Sequence, residues 1–378
     1  MQDKYEILIV CYESVKRLDK LVSSLSRLDK ERIRLHFSVD GSPNQSELVH
    51  AIQELKDVFE IGMIIRRDEN LGVKQHITEC IGTIAGFETG GVLLEDDLFV
   101  DESLIEYLDE FVSQVHDDNE VSSLALYHQH YYHYSSLPFW PYQAGPYKMR
   151  YPCSSGLYMS NEEARAFYRF LTEESYDEHT VVVPRNVLRW SDSWKKFYCI
   201  YLELNVKYVV YPERSVVTNT GVAGVHTKVA SRFYQSPLGQ NAGVSQVVPV
   251  KQITNKYDVF MEPISDLVKR VQPDLARYDF DVDLEGDRAL KFMRKRYLLS
   301  SKPCEHPIMQ FGDELRPLLH NVKYPSQKGP ISFGLTEHFS MSVKKAYISR
   351  FESILPPISK RLLLKMLWRQ ITGRSANS

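Results

Sequence analysis

The first hundred residues alternate between two hydrophobic periods. Tyr5-Glu6-Ile7-Leu8-Ile9-Val10-Cys11-Tyr12 is a nearly continuous apolar run, the mark of a strand buried on both faces of a parallel sheet. Val15, Leu18, Leu21, Val22, Leu25 and Leu28 then fall at helical spacing, which predicts a helix packed back on that strand. The alternation repeats as a strand over 34–39, a helix over 46–59, a strand over 61–66 and a helix carrying Val73, Ile77, Cys80, Ile81 and Ile84. A fourth apolar run, Gly91-Val92-Leu93-Leu94, ends in Glu95-Asp96-Asp97-Leu98. This order predicts an α/β fold, a doubly wound and mostly parallel sheet flanked by helices with right-handed crossovers. Further on, the pattern predicts a helix over 102–115, a strand over 121–126, a helix from about Asn161 and a strand over 206–210.

The chemistry gathers where the strands end, because open α/β sheets bind ligands beyond the carboxyl ends of their strands. Three adjacent carboxylates repel one another unless a cation lies among them or the segment is a solvated acidic loop. A hard divalent ion, Mg2+ or Mn2+, held by one or two carboxylates and a substrate's phosphates is the cation such a site takes. Asp40 closes the second strand in the turn Asp40-Gly41-Ser42-Pro43, and Arg67 and Lys74 follow the third. Carboxylates beyond successive strands, with basic groups nearby, suit a nucleotide-sugar: one acid grips the nucleoside and another reaches the diphosphate through a metal. The first strand-to-helix turn holds neither a GxGxxG fingerprint nor a P-loop signature, which argues against a dinucleotide-binding dehydrogenase and a P-loop NTPase.

Composition narrows the setting. The 378 residues and 43% hydrophobic content suffice for one large or two ordinary domains. A net charge of -3 gives no global reason to expect nucleic acid. That charge is uneven: residues 344–378 hold eight Lys or Arg and one Glu, a balance of +7, which leaves -10 on the rest. Cys11, Cys80, Cys153, Cys199 and Cys304 show no metal-type spacing and read as core thiols of a reducing compartment. The N-terminus lacks a signal-type apolar region, and no apolar run reaches about eighteen residues. The expectation is a cytoplasmic protein, or one resting on the cytoplasmic face of an inner membrane.

The order of these segments resembles that of GT-A glycosyltransferases in the family 2 style. The resemblance rests on the first strand with Cys11-Tyr12-Glu13, the Val39-Asp40-Gly41-Ser42 turn, the Asn70-Leu71-Gly72 turn and the Leu94-Glu95-Asp96-Asp97 strand end, and it runs to about Gln240. The Glu-Asp-Asp form is also similar to that of the N-acetylglucosaminyltransferase that starts complex N-glycan branches. What the resemblance implies is a Rossmann-like GT-A fold with Asp97 as the ligand of Mn2+ or Mg2+. Glu95 and Asp96 would face the sugar and ribose, and Asp40 the nucleoside. Cys11, Tyr12, Glu13, Arg67, Asn70, Gly72 and Lys74 would line the nucleotide-sugar site. In such enzymes a small-residue turn, here Ser155-Gly156, backs onto the donor sugar; a plain strand-to-helix turn is the other reading.

Trp190-Ser191-Asp192-Ser193-Trp194 is similar to the Trp-Asp-Asp-Trp segment of the same N-acetylglucosaminyltransferase. That implies Asp192 as the catalytic base, with flanking indoles as an apolar wall. Ser193 departs from the pattern, and a helix cap is the alternative for Asp192. His226 lies in a segment, 212–226, that resembles the one closing the catalytic domain. It would touch the diphosphate or complete the metal shell, or serve the structure. The implied activity is inverting transfer of a sugar, from a nucleotide-sugar with UDP-sugars favoured, to a hydroxyl of a glycan or lipid-linked acceptor in surface polysaccharide synthesis. A nucleotidyltransferase that forms nucleotide-sugars, or a non-catalytic carbohydrate-binding module, are the other classes. The former should carry a Gly-rich basic loop where Cys11-Tyr12-Glu13-Ser14 stands.

The chain divides by this reading into a catalytic domain over 1–245, an extension over 246–355 and a basic amphipathic helix over 356–378. The stretch 127–152 is rich in aromatic residues, whose rings either stack on sugars or pack over the sheet. Its His128, His130 and His133 lack a local Cys or carboxylate to complete a zinc site. Asp279, Asp281, Asp283, Glu285 and Asp287 lack EF-hand spacing and read as a solvated turn. At the end, Lys360, Arg361, Lys365, Arg369 and Arg374 alternate with leucines and Trp368. Such a helix makes peripheral contact with an anionic membrane, or docks on its own domain.

Overall fold

The computed structural model describes residues 4–133, 135–173, 181–222, 230–239 and 248–341, together with Leu364. The four apolar runs form β1 (Tyr5–Cys11), β2 (Ile33–Val39), β3 (Ile61–Arg66) and β4 (Gly90–Glu95). Between them lie α1 (Val15–Leu25), α2 (Gln45–Glu54) and α3 (Gly72–Ala85). Ser14 starts α1 by accepting the Arg17 N–H on its hydroxyl at 3.3 Å, and Leu18, Leu21 and Leu25 form the face the helix buries.

Next come β5 (Leu98–Val100), α4 (Leu104–His116), β6 (Val121–Ala125), β7 (Tyr147–Met149) and β8 (Leu157–Ser160). They are followed by α5 (Asn161–Thr172), α6 (Arg185–Leu188), α7 (Trp194–Leu204), β9 (Tyr208–Tyr211), β10 (Val217–Asn219) and β11 (Lys256–Tyr257). The central sheet has nine strands in the order β3-β2-β1-β4-β8-β6-β9-β7-β11. β1 through β4 are parallel, but β8 runs antiparallel to both β4 and β6, and β7 antiparallel to β9. The sheet is therefore mixed, where the pattern predicts a mostly parallel one. β7 and β8, the two strands that follow β6 without an intervening helix, both run against β6 and β9.

Two details set up the site. From β1 the chain steps outward to β2 and β3, then returns to the other flank of β1 with β4. The strand order thus reverses between β1 and β4, which is where open sheets of this kind leave a crevice. A separate two-stranded sheet pairs β10 antiparallel with β5, so Asn219 lies opposite Leu98.

The extension holds a sheet of its own. α8 (Ser265–Val271), β12 (Phe280–Asp283), β13 (Tyr297–Ser300), β14 (Met309–Phe311), α9 (Leu319–Val322), β15 (Pro325–Ser326) and β16 (Ile331–Leu335) follow in order. The strands pair as β12-β13-β16-β14-β15. β11, beyond the expected boundary at 245, pairs with β7 and completes the first sheet.

Two stretches read from the sequence take definite form here. The acidic run is solvated only in part: Asp279 and Asp287 are exposed, whereas Asp283 ends β12, is 1% exposed and is ion-paired with Lys302. That lysine lies 19 residues on, too far for any local spacing to reveal it. The rings of the 127–152 stretch are mostly interior. Tyr127, Tyr131, Tyr132, Phe139, Tyr147 and Tyr151 are buried, while Trp140 is 42% exposed. Tyr147 stacks on Tyr211 with centroids 5.2 Å apart, and Phe139 meets Tyr257 edge-on at 5.3 Å, geometries that hold aromatic cores together. The basic C-terminal helix lies outside the described residues apart from Leu364. Among the described residues no helix is long and apolar enough to cross a membrane.

Gly41 marks where two loops touch at the sheet edge. A Cβ there would sit 2.2 Å from the carbonyl carbon of Glu69, so Gly41→Ala must push the two backbones apart. We expect a loss of about 2–3 kcal/mol in urea unfolding. Gly72→Ala, with φ of 74° but nothing within 4 Å of the new methyl, should lose only about 1 kcal/mol.

Candidate active site

The carboxyl ends of β1, β2 and β4 form one edge, built around Asp96. Its N–H donates to the Val10 carbonyl at 3.1 Å. Its Oδ2 accepts the Tyr12 N–H at 3.1 Å, and its Oδ1 lies 3.6 Å from Arg17 Nη1. The residue expected against the ribose thus spends its carboxylate on the β1–α1 turn. Burial pushes its pKa up to about 7, with the Tyr12 N–H and Arg17 pulling the other way.

The acids on either side are half-buried. Burial, then Asp97 and Asp96, raise Glu95 to about 8, and Lys195 opposes them. Asp97 Oδ2 accepts from Asn219 Nδ2 at 2.8 Å, while its carbonyl accepts the Thr220 N–H at 2.9 Å. Asn219 is steadied in turn by accepting the Gly221 N–H at 2.7 Å. No sequence signal points to Asn219, because it comes 122 residues after Asp97 and meets it only through the β5–β10 pairing.

Asp40 is buried and joins two loops. Its Oδ1 accepts the N–H groups of Gly41 and Leu71, each at 2.9 Å. Asn70 donates to the Tyr12 hydroxyl at 3.0 Å and accepts the Gly72 N–H at 2.8 Å. Glu13 takes a left-handed backbone with φ of 60°, and its carbonyl accepts from Asn44 Nδ2 at 3.1 Å. Tyr12, Glu13, Asp40, Asn70 and Gly72 therefore gather on one ledge. Cys11 does not join them: it is fully buried, and burial, then Asp96 and Cys80, push its thiol well above the usual range.

The basic residues after β3 turn toward helices. Arg67 lies 3.9 Å from Glu79 on α3. Lys74 holds its ammonium 4.0 Å from the centre of the Phe197 ring on α7, a cation–π contact that ties α3 to α7. Ser155 and Gly156 do reach the edge, since β8 runs antiparallel to β4 with Leu157 opposite Leu93. Gly156 has φ of 83°, and a Cβ would stand 3.2 Å from both Leu94 and Val217, so the position admits only glycine without a shift.

Across the edge stands the start of α7. Lys195 is buried, with its ammonium 4.6 Å from the Tyr151 ring centre. Burial lowers its pKa, while Cys153, Cys199 and Glu95 raise it. His133 packs 5.5 Å from Trp190 and 5.3 Å from Tyr151 between ring centres. Burial and then Lys195 hold its pKa down to about 2. Lys195 escapes sequence reasoning because a lysine between aromatics reads as surface until the helix is placed.

Asp192 is exposed and accepts from the Ser191 hydroxyl at 2.8 Å. The indoles expected to flank it do not. Trp194 opens α7 and turns into the core against Tyr198, while Trp190 packs on His133. The N-cap position of α7 falls on Ser193. His226 lies outside the described residues.

Among the described residues no group of three or more His, Cys, Asp or Glu is arranged to hold a metal ion. Glu95 and Asp97 nevertheless form a donor set of the right chemistry for one hard cation. They are two carboxylates, and Mg2+ commonly takes one or two such groups and completes its shell with water and substrate phosphate. Burial, and after it the charge of Asp97 and Asp96, raises Glu95, so positive charge placed there would favour its ionised form.

No protein-family model and no curated protein matches the chain. Solved structures similar to it include S. aureus TarS 1-349, at 12% identity and a TM-score of 0.39 over 58% of this chain and 60% of that one. Others are the mannosyltransferase PcManGT from Pyrobaculum calidifontis in complex with GDP-Man and Mn2+, at 8% identity and a TM-score of 0.31 over 46% of this chain and 47% of that one, and GalNAc-T7 with UDP, GalNAc and Mn2+, at 14% and 0.38 over 56% and 42%. The chain thus spans 60% of the length of the TarS 1-349 structure. Overlaps of this size align part of the chain and fix neither its family nor its activity.

His76 supplies a pH test of the ledge. It is buried against Ser38, with 2.8 Å between Nε2 and Oγ. Burial lowers its pKa to about 4, Asp40 opposing and Arg67 reinforcing. The unfolded chain protonates this imidazole near pH 6.5, so between there and about 4 the unfolded state binds more protons. The contribution to stability is full above pH 6.5 and is lost as the pH falls through that window. Urea unfolding at pH 7 and pH 5 should show a smaller difference in His76→Asn than in the parent.

Proposed function

We propose that the chain is a metal-dependent GT-A glycosyltransferase that moves a sugar from a nucleotide-sugar to an acceptor hydroxyl. The observation that carries this reading is the pair Glu95 and Asp97 at the end of β4, beside the strand-order reversal. The Tyr12–Asn70–Asp40 ledge lies on one side and α7 on the other. On this reading the ledge seats the nucleoside, with Asp40 holding its two loops in register. Glu95 and Asp97 would hold Mn2+ or Mg2+, which when bound neutralises the leaving diphosphate. Asn219 sets the orientation of Asp97, and Ser155-Gly156 brings backbone close to the sugar.

Asp192 is our choice of base. It precedes Lys195 by three positions, and Lys195 is electrostatically coupled to Glu95, so the segment borders the carboxylates. As the acceptor oxygen bonds to the anomeric carbon and the bond to the diphosphate breaks, Asp192 takes the hydroxyl proton. Inversion follows when base and leaving group lie on opposite faces of the sugar. Because Asp192 is exposed, the acceptor itself, rather than the two indoles, excludes water from it. UDP-sugars are the favoured donors, and a glycan or lipid-linked acceptor of surface polysaccharide synthesis at the cytoplasmic face is the favoured partner.

Purified protein should gain thermal stability from UDP, GDP, CDP or TDP with Mn2+, and the best of the four identifies the base of the donor. Asp97→Asn should remove the metal-dependent part of that gain and abolish transfer; full activity in EDTA would refute the metal site. Asp192→Asn should keep donor binding and lower turnover by a factor of about 10²–10⁴. Turnover within about threefold of the parent would remove Asp192 from the mechanism.

A further inference from the structure

Two large rings stand open on the segment 230–239, beyond the end of β10. Phe233 is 40% exposed and Tyr234 39%, and they meet edge to face with centroids 5.2 Å apart. Phe233 packs 4.9 Å and Tyr234 5.7 Å from the ring centre of the buried Tyr131. Their backbone is fixed as well. The Phe233 carbonyl lies 3.0 Å from His130 Nε2, and the Tyr234 carbonyl accepts the Tyr127 hydroxyl at 3.1 Å. Open ring surface is unfavourable in water, and an adjacent pair on a braced backbone, unlike a single stray ring, marks a contact surface.

The pair is tied to both halves of the proposed chemistry. Toward the carboxylates, the Ser231 N–H donates to the Gly221 carbonyl at 3.1 Å and the Ser236 N–H to Thr218 Oγ1 at 2.8 Å. Both bonds fasten the segment to β10 and its end, where Asn219 holds Asp97. Toward the base, Tyr131 packs 5.5 Å from His133, and His133 5.5 Å from Trp190, two positions before Asp192. An acceptor has to lie between the donor and the base that takes its proton. Gln235, next in the chain, lines a cavity of about 460 Å³ with Thr218, Asn219 and Thr220, a volume within the range of small-ligand sites. Asp19 and Lys20 also line it, and their charges cancel. Its hydroxyls and amides donate and accept alike, as the hydroxyls of a sugar do, and a lining without net charge among the described residues favours neither a polyanion nor a cation. We propose that Phe233 and Tyr234 form the acceptor subsite, seating the C–H surface of a neutral sugar unit against their rings while Gln235 and the threonines of the cavity bond its hydroxyls. This rests on the glycosyl-transfer reading and adds to it the class of acceptor, a neutral glycan rather than a charged polymer.

The test is saturation-transfer NMR on the full chain, with cellotetraose, chitotetraose and maltotetraose as neutral probes and tetragalacturonate as a charged one. Thermal unfolding with UDP, GDP, CDP or TDP and Mn2+ runs beside it as the measure of the donor site. A neutral probe should bind saturably, with transfer to its C–H protons. Phe233→Ala and Tyr234→Ala should each weaken that binding about tenfold and leave the nucleotide-induced rise in midpoint at the parent's value. Phe233→Leu keeps apolar bulk against Tyr131 and should lose the same affinity, which tells a lost ring contact from a folding defect. No binding of any neutral probe, a preference for tetragalacturonate, or neutral binding that the ring variants leave unchanged would overturn the proposal. Ring-dependent binding of a neutral probe by a protein that no nucleotide stabilises would uphold the sugar subsite and count against the donor site instead.

Discussion

The carboxylate edge depends on the bond between Asp96 and the backbone of Tyr12. Through it, β4 is held to the first turn of the chain one step beyond the last paired residues, Val10 and Glu95. The accepting oxygen is ionisable and Arg17 stands beside its partner, so the link is charge-assisted and stronger than an ordinary backbone contact. It places the turn that carries Tyr12 and Glu13, and Tyr12 in turn receives Asn70. One acid of the triplet thus ties the β1–α1 turn to β4, while Glu95 and Asp97 stay half-buried beside it.

That arrangement holds like charges together where water is scarce. Glu95 feels burial first and its two neighbours next. Lys195 offsets part of this from the opposite side, though burial depresses its own pKa. Perturbed groups of this kind concentrate where ligands bind. In this protein they come from three remote segments, the ends of β1 and β4 and the start of α7.

The extension solves a related problem by pairing. Asp283 and Lys302 bury together, as do Asp258 and Arg288 with modest exposure. Breaking such pairs is far more costly than their net contribution to stability suggests. Lys148 does the same for Asp118 at 2.7 Å in the first sheet. Glu262 is the buried acid of this group whose second oxygen finds no partner among the described residues, and that asymmetry sets it apart from its neighbours.

The apolar runs alone determined β1 through β4, the helices between them and the position of Asp40 and the acidic triplet at strand ends. Period and termination are local properties, set by which residues suit a strand buried on both faces. Tertiary structure decided what each acid faces. It turned Asp96 to the protein and Asp97 to Asn219, and it sank Cys11, Trp194 and most of the aromatic stretch into the core. It also reversed β8, which brought Gly156 against Leu94 near the end of β4. These outcomes rest on contacts between residues tens to more than a hundred positions apart. Their energies depend on burial and on the sign of the neighbouring charge, neither of which spacing along the chain encodes.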